Sequence, residues 1–373
     1  MFSACSYKEP NGMSDPTQLD TNVNPEGHIG SLENTTFRMT TKLASALCSL
    51  CAVTAHAAGI REIVVPAGAR GPEIPARVWT PCAVPAGPKS VDSGGVTMSI
   101  NAVEDCAPSS RNLPLIVVSH GMFGDVFSHH DTAEALADAG FAVVTINHTL
   151  DSISAKRESV DNISSFLVRP VDIQRTITYL LSGALPWVDI DSRRIGFFGF
   201  SRGGYTGLVL AGGVPDYHAP AFPCPEEFSM CRQMRDGDIP PHEAGHDPRI
   251  KAFVIADPVS FFPDESSLRN VTAPIQLWSS DRGGMGVRPE DVAAVKSHLP
   301  IAPDFHRLPN SAHLSFQFPC STEEAKAMSF VCTDPPDFDR AAFHRTLNTA
   351  MLEFFRKQLG QESPREDQRR TKP

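Results

Sequence analysis

Short, mainly apolar runs alternate with helical patterns along most of the chain. Five of these runs lie at residues 115–118, 141–146, 195–198, 252–255 and 275–278. Apolar runs of this length are typical of parallel strands that are buried on both faces. Strands that alternate with helices predict an α/β fold, with a mostly parallel central sheet and helices on both of its faces.

The boundary residues of three helices are visible in the sequence. Asp131 is expected to cap a helix that Gly140 ends. Pro170 is expected to begin a second helix, because proline is common in the first helical turn. The last helix is predicted at about 339–359, where four apolar residues at helical spacing share one face: Phe343, Leu347, Met351 and Phe354.

Several stretches fall outside this alternation. Residues 59–81 are predicted to form edge strands, and residues 82–112 a polar insertion that contains Gly and Pro. Residues 213–249 are rich in Pro, His and Asp, and they are predicted to extend over the carboxyl edge of the sheet. They form either a lid or a surface loop that a disulfide holds in place. Residues 361–373 are charged and are predicted to be a disordered tail.

Residues 39–58 have the pattern of a secretory signal. An apolar stretch at 43–53 follows a lysine, and Ala55-His56-Ala57 has the small-x-small pattern of a cleavage site. Residues 1–38 are interpreted as a disordered extension or as the result of a misassigned start. The folded domain is therefore predicted at 59–360, and the protein is predicted to be exported to the periplasm or secreted.

Six cysteines follow the predicted signal, and an even number favours disulfides in an exported chain. The sequence alone does not fix how they pair. Nearness along the chain favours three pairs: Cys82–Cys106, Cys224–Cys231 and Cys320–Cys332. Metal binding is the weaker interpretation, because this part of the sequence has no C-x-x-C pair.

Length and composition limit the possible function classes. The chain has 373 residues, of which 41% are hydrophobic, so it is large enough for one sizeable core. Its formal net charge is −10 and its basic residues are not clustered, which disfavours a nucleic-acid partner. The apolar stretch at 43–53 is too short to span a membrane, so no stable membrane span is expected.

The strongest motif is Gly199-Phe200-Ser201-Arg202-Gly203, which matches the pattern G-x-S-x-G. A predicted core strand precedes it and a helical pattern follows it. In that context the motif forms a sharp turn that exposes a nucleophilic serine. Gly199 and Gly203 are expected at positions where side chains would clash in the turn, and Ser201 is the predicted nucleophile.

A serine hydroxyl needs a base to become a strong nucleophile. The predicted base is His313, which lies in a loop after a short strand at 305–308. Proteins with this elbow have the chain order serine, acid, histidine. Asp257 and Asp281 each follow a core strand before His313, and either could orient the imidazole. The commonest arrangement of such folds favours Asp281.

The developing oxyanion needs two backbone N–H donors. One is expected from Arg202, directly after the nucleophile, and the other from Met122, in the loop after the first core strand.

Four stretches together resemble the platelet-activating-factor acetylhydrolase family and its bacterial relatives, which are often called predicted dienelactone hydrolases. They are residues 117–121, 135–141, 190–203 and 311–316. The resemblance implies an α/β-hydrolase fold, in which residues 213–249 are the inserted loop or lid region, and ester hydrolysis without a metal; no other cofactor is expected. It also implies that the acid follows the strand before the usual one, which favours Asp257 and leaves Asp281 as the alternative.

The predicted activity is therefore hydrolysis of a small carboxylic ester with a short or medium acyl group, with phospholipid as one candidate substrate. The sequence departs from the acetylhydrolases, because Phe200 and Arg202 replace the usual His and Phe, and the charge of Arg202 puts a lipid substrate in doubt. Ser201 stands where dienelactone hydrolases have cysteine, so lactone specificity does not carry over. Two alternatives stay open: the same triad acting on polyesters, lactones or amides, and an inactive exported binding protein.

Overall fold

The computed structural model of the chain describes residues 57–220, 224–243 and 245–360. Within these residues ten strands form one sheet. In chain order they are β1 (Ala57–Val65), β2 (Ile74–Cys82), β3 (Pro88–Ser93), β4 (Val96–Glu104), β5 (Leu113–Ser119), β6 (Ala142–Ile146), β7 (Ile190–Phe200), β8 (Ile250–Ala256), β9 (Ile275–Ser280) and β10 (Asp304–Leu308).

Helices lie between and after the strands. In chain order they are α1 (His130–Asp138), α2 (Arg157–Val160), α3 (Ser164–Leu181), α4 (Arg202–Leu210), α5 (Ser229–Asp236), α6 (Glu265–Leu268), α7 (Pro289–His298), α8 (Thr322–Ala327), α9 (Ser329–Cys332) and α10 (Arg340–Gln358). A 3-10 turn at His313–Phe316 follows β10.

The sheet has the strand order β10-β9-β8-β7-β5-β6-β2-β1-β4-β3. Strands β5 to β10 are parallel to their neighbours within this group. Strand β2 runs antiparallel to both β1 and β6. The predicted α/β fold with a mostly parallel central sheet is therefore confirmed. In such a sheet the carboxyl ends of the parallel strands meet at one edge, where functional loops gather.

The core lies on both faces of the sheet, as the continuous apolar runs predicted. In β5, Leu115 and Val117 belong to the core cluster on the face that α3 and α4 cover. Ile116 and Val118, which point the other way, pack with residues of α1 and α10. Successive side chains of a strand point to opposite faces, so a strand between two helical layers needs apolar residues at every position.

The prediction of a polar insertion at 82–112 was wrong, because this segment contains the hairpin β3–β4. Met98, Ile100 and Ala102 alternate with polar residues and are buried, and β4 adds to the sheet beside β1. This alternation is the pattern of a strand with one buried face. The hairpin forms the far edge of the sheet from β10.

Two predicted helix starts were also wrong. Helix α1 begins at His130, so Asp131 lies in its first turn rather than at its cap, and its carboxylate accepts a hydrogen bond from His344. Helix α3 begins six residues before Pro170. Ile163 and Phe166 are buried in the core, and this packing stabilises helical turns that precede the proline.

The described part of the chain contains three disulfides, and they are the three pairs that nearness in the sequence favoured: Cys82–Cys106, Cys224–Cys231 and Cys320–Cys332. Cys82–Cys106 joins the end of β2 to the chain just after β4. Cys224–Cys231 joins α5 to the segment that precedes it, within the predicted excursion at 213–249. This part packs against the helices, since the hydroxyls of Tyr205 and Tyr217 lie 2.5 Å apart.

The predicted signal lies mostly outside the described residues, as do the predicted extension at 1–38 and the predicted tail at 361–373. Its last two residues are described, and they begin β1. Ala57 and Ala58 are buried and pair with Cys82 and Pro81 of β2. The boundaries proposed for the signal and the folded domain stay predictions. Among the described residues, no helix is both long and apolar enough to cross a membrane.

Candidate active site

Ser201 lies on a sharp turn between β7 and α4. Its backbone has φ 58° and ψ −116°, a conformation that non-glycine residues rarely adopt. A Cβ atom on Gly199 would overlap the carbonyl of Gly203, and one on Gly203 would overlap the carbonyl of Ser119. The two glycines are therefore required by close backbone contacts, and the strained turn lifts the serine side chain above the end of the strand.

His313 lies beside this serine. Its Nε2 atom is 2.9 Å from Ser201 Oγ, and its Nδ1 atom is 3.0 Å from Asp257 Oδ2. Ser201 is 6% exposed, His313 is 2% exposed and Asp257 is fully buried. The backbone N–H of His313 donates to the carbonyl of Gly283 at 2.8 Å, which fixes the turn that carries the imidazole. The structure brings these three predicted residues into one hydrogen-bonded chain, which we call the elbow set.

Asp257 lies directly after β8 in a left-handed conformation, with φ 42°. The backbone N–H and the hydroxyl of Ser280 donate to its carboxylate at 2.6 and 2.5 Å. Hydrogen bonds of this kind hold the carboxylate in one orientation. The hydroxyl of Ser280 also accepts from the N–H of Gly283, so one serine links the acid to the loop that supports His313.

Asp281, the alternative acid, has other partners. Its carboxylate forms an ion pair with Arg307 at 2.6 Å, and it accepts from the N–H of Asn310 at 3.4 Å. Its side chain is 35% exposed. The imidazole of His313 bonds instead to Asp257, so the geometry favours the acid that the family resemblance implied.

The predicted oxyanion donors lie on two segments that meet at Ser201. A Cβ atom on Gly121 would be 3.3 Å from the Cβ of Ser201, so the loop that carries Met122 lies against the turn. Arg202 is the first residue of α4, and the first N–H groups of a helix have no partner within it. The two N–H groups therefore belong to segments on either side of the serine.

The side chain of Arg202 points into the protein. It is 4% exposed, its guanidinium lies 3.1 Å from the carboxylate of Asp151, and it stacks 4.4 Å from the ring of Phe166. The sequence suggested that this charge would lie near a substrate. It is instead paired beneath the site, so it does not argue against an apolar substrate.

Exposed apolar side chains lie on the two loops that contact Ser201 and His313. Met122, Phe123 and Met285 are between 36% and 48% exposed. Phe123 and Met285 both have positive φ, and strained backbone of this kind is common at functional sites. Ile153, also exposed, bonds through its N–H to the carbonyl of Gly124 in the Met122 loop. Large exposed apolar residues near a nucleophile are typical of sites that bind apolar groups.

Other histidines have structural partners. His306 stacks on Trp278 with ring centroids 4.1 Å apart. His344 bonds to Asp131 and to a backbone carbonyl. Among the described residues, no group of His, Cys, Asp and Glu has the arrangement of a metal site.

Sequence reasoning missed several residues that support the site. Ser280 was visible in the run Ser279-Ser280-Asp281, but only its acidic neighbour was considered. A second Ser–His–Asp chain, which we call the buried set, was also missed. It consists of Ser119 and His148, whose Oγ and Nε2 atoms are 2.8 Å apart, and of Asp172, whose Oδ2 lies 3.3 Å from His148 Nδ1.

No family model and no curated protein matches the chain. Among solved structures, it resembles a ferulic acid esterase from Streptomyces cinnamoneus, with a TM-score of 0.56 and 18% sequence identity. The alignment covers 84% of this chain and 93% of the esterase chain. At this identity the likeness concerns the fold, and not the substrate. The strand order, the turn at Ser201 and this likeness together establish that the chain has the α/β-hydrolase fold.

Proposed function

We propose that the protein is a serine hydrolase that cleaves carboxylic esters, with Ser201 as nucleophile, His313 as base and Asp257 as the acid that orients the base. The observation that carries this proposal is the hydrogen-bonded chain of the elbow set on a strained turn. A serine held in this way, with a histidine within hydrogen-bond distance, has the geometry that nucleophilic catalysis requires.

The reaction would proceed in two steps. His313 Nε2 takes the proton of Ser201 as its Oγ attacks the ester carbonyl, and the charge on the tetrahedral intermediate is stabilised by the N–H groups of Met122 and Arg202. The imidazolium then protonates the leaving alcohol, which gives an acyl-enzyme. Water, deprotonated by His313, hydrolyses this intermediate and restores the serine. Asp257 stabilises the imidazolium that forms in each step.

The substrate we propose is an ester with an apolar acyl group of short or medium length. The exposed side chains of Met122, Phe123 and Met285 support an apolar partner, as does the inward orientation of Arg202. The acid after β8 agrees with the acetylhydrolase-like arrangement implied by the sequence, so an acetylhydrolase-like activity is part of the proposal. Polyesters, lactones and amides are the alternative substrates for the same three residues.

We also propose that the protein functions in an oxidising compartment, after export. Three disulfides support this, because such bonds persist outside the reducing cytosol.

The proposal is tested by labelling the purified protein with a fluorophosphonate probe and locating the adduct by mass spectrometry. We expect one adduct, on Ser201, and none in the Ser201→Ala variant. Initial rates on 4-nitrophenyl acetate, 4-nitrophenyl octanoate, a lactone and an anilide then rank the substrate classes. Folded protein that takes no label and hydrolyses none of these substrates would favour the inactive binding protein instead.

A further inference from the structure

A cluster of three buried charges lies beneath the proposed oxyanion site. Asp151, in the loop after β6, and Arg169, in α3, are fully buried, and Arg202 is 4% exposed. The carboxylate Oδ2 of Asp151 accepts from Arg169 Nη1 at 2.7 Å and from Arg202 Nη1 at 3.1 Å. One carboxylate therefore joins two guanidinium groups that come from different helices.

On one side the cluster holds the loop that carries Met122. The other carboxylate oxygen of Asp151 accepts from the N–H of Phe123 at 3.3 Å. Arg169 Nη2 donates to the carbonyl of His120 and, at 3.2 Å, to the hydroxyl of Ser119. The contacts with His120 and Phe123 fall on either side of Met122, so together they fix the direction in which the N–H of Met122 points.

On the other side the cluster holds the start of α4. The guanidinium of Arg202 also donates to the carbonyl of Val160 and to the hydroxyl of Ser165, both at 3.1 Å. Arg169 Nε donates to the hydroxyl of Thr206 at 3.0 Å, and that hydroxyl donates to the carbonyl of Arg202 at 2.8 Å. Both ends of Arg202 are thus fixed by groups that lead back to Asp151.

Stability alone is a weak reason for such a cluster. A buried ion pair gains little over well-packed apolar residues, since desolvation offsets the attraction. An oxyanion hole, by contrast, depends on donors that are held in place before the charge develops. We propose that Asp151 is a positioning residue that holds the backbone N–H groups of Met122 and Arg202 in the orientation needed to bind one oxyanion. This inference rests on the proposed function and assigns a role within the same site.

The test compares Asp151→Asn with the matched control Asp191→Asn. Asp191 is also a buried carboxylate that accepts from two arginines, Arg193 and Arg194, but it lies near the amino end of β7, ten residues before Ser201. We expect Asp151→Asn to lower kcat on 4-nitrophenyl acetate about 10- to 100-fold with little change in KM. Its affinity for a trifluoromethyl ketone, which forms an oxyanion on the serine, should fall by a similar factor.

The control should change neither value more than about twofold, whatever its loss of thermal stability. If Asp151→Asn does not fold, Arg202→Lys replaces it as the test. Lysine keeps the charge but lacks the planar guanidinium that donates to several groups at once. We expect this variant to lower kcat and the affinity for the ketone about 3- to 10-fold. A fall in kcat with unchanged ketone affinity, or equal values in variant and control, would overturn the positioning role alone. Wild-type turnover equal to that of Ser201→Ala would overturn the proposed function itself.

Discussion

The elbow set and the buried set have the same order of hydrogen bonds but different surroundings. In the elbow set the serine Oγ lies 2.9 Å from the imidazole Nε2, and the other imidazole nitrogen lies 3.0 Å from the carboxylate. In the buried set the corresponding distances are 2.8 and 3.3 Å. These distances alone do not distinguish a nucleophile from a structural serine.

The backbone and the access of solvent differ between the two sets. Ser201 lies on a turn with positive φ at the carboxyl end of β7, while Ser119 is the last residue of β5 and is fully buried. The hydroxyl oxygen of Ser119 also accepts a hydrogen bond from the guanidinium of Arg169, so a positively charged side chain contacts it. A serine, a histidine and an acid in hydrogen-bonding order can therefore form a reactive group only where a substrate carbonyl can reach the serine oxygen.

The charges of the buried set follow from its burial. Burial raises the pKa of Asp172 to about 6, against the hydrogen bonds from Thr149 and the nearby guanidinium groups of Arg175 and Arg169, which lower it. Burial, with the charge of Arg169, holds the pKa of His148 well below its usual range. The buried set therefore contains a neutral imidazole at neutral pH and is suited to a structural role beneath the Met122 loop.

The comparison is tested most directly by removing each serine hydroxyl in turn. We expect Ser201→Ala to lower kcat on 4-nitrophenyl acetate by about 10⁴-fold or more, because the attacking oxygen is lost. Ser119→Ala should lower kcat less than about 10-fold and cost about 1–3 kcal/mol of stability, because it leaves buried partners unsatisfied. Steady-state rates and urea unfolding check both. Equal losses of activity would contradict the distinction between the two sets.

The next largest expected difference in kcat is between variants of the two candidate acids, Asp257 and Asp281. Asp257→Asn is expected to lower kcat by about 10³- to 10⁴-fold, because the imidazole loses the partner that fixes its tautomer and stabilises its charged form. Asp281→Asn, the matched control, should change kcat less than about threefold, since its carboxylate pairs with Arg307 at the surface. The measurement is kcat on the same ester. A larger loss in Asp281→Asn would return the role of the acid to that residue.

Much of the fold could be predicted from the sequence, because continuous apolar runs and boundary residues are local signals. The strands β5 to β10 were expected, as was the helix that begins near Asp339. The hairpin β3–β4 was missed because its apolar residues alternate and lie among polar ones. The start of α3 before Pro170 was missed because core packing, and not local propensity, stabilises those turns.

The candidate site also combines residues that have local sequence signals with residues that only the fold brings together. The turn at Ser201 has a short motif, and His313 follows from chain order. The contacts of Ser280 and the role proposed for Asp151 depend on segments that are far apart in the chain, which no local pattern reveals. Asp151 accepts from residues 18 and 51 positions away. Only the sheet, which brings the ends of β6, β7, β8 and β9 to one edge, places such residues together.

The smallest expected effect concerns the ionisation of the buried set. Asp172 has a pKa of about 6 in the folded protein against an ordinary value of 3.8, so the native state holds its proton more tightly than the unfolded state does. Its contribution therefore lowers the free energy of unfolding as the pH rises from about 4 to about 6.

Asp172→Asn lacks this contribution. The difference in unfolding free energy, variant minus wild type, should rise by about 1 kcal/mol per pH unit across that window and level off above it. Urea titrations at pH 4.5, 5.5, 6.5 and 7.5 measure this difference, and a constant lost hydrogen bond would shift all four values equally. A flat difference would mean that Asp172 is ionised throughout this range, and that burial does not raise its pKa above the ordinary value.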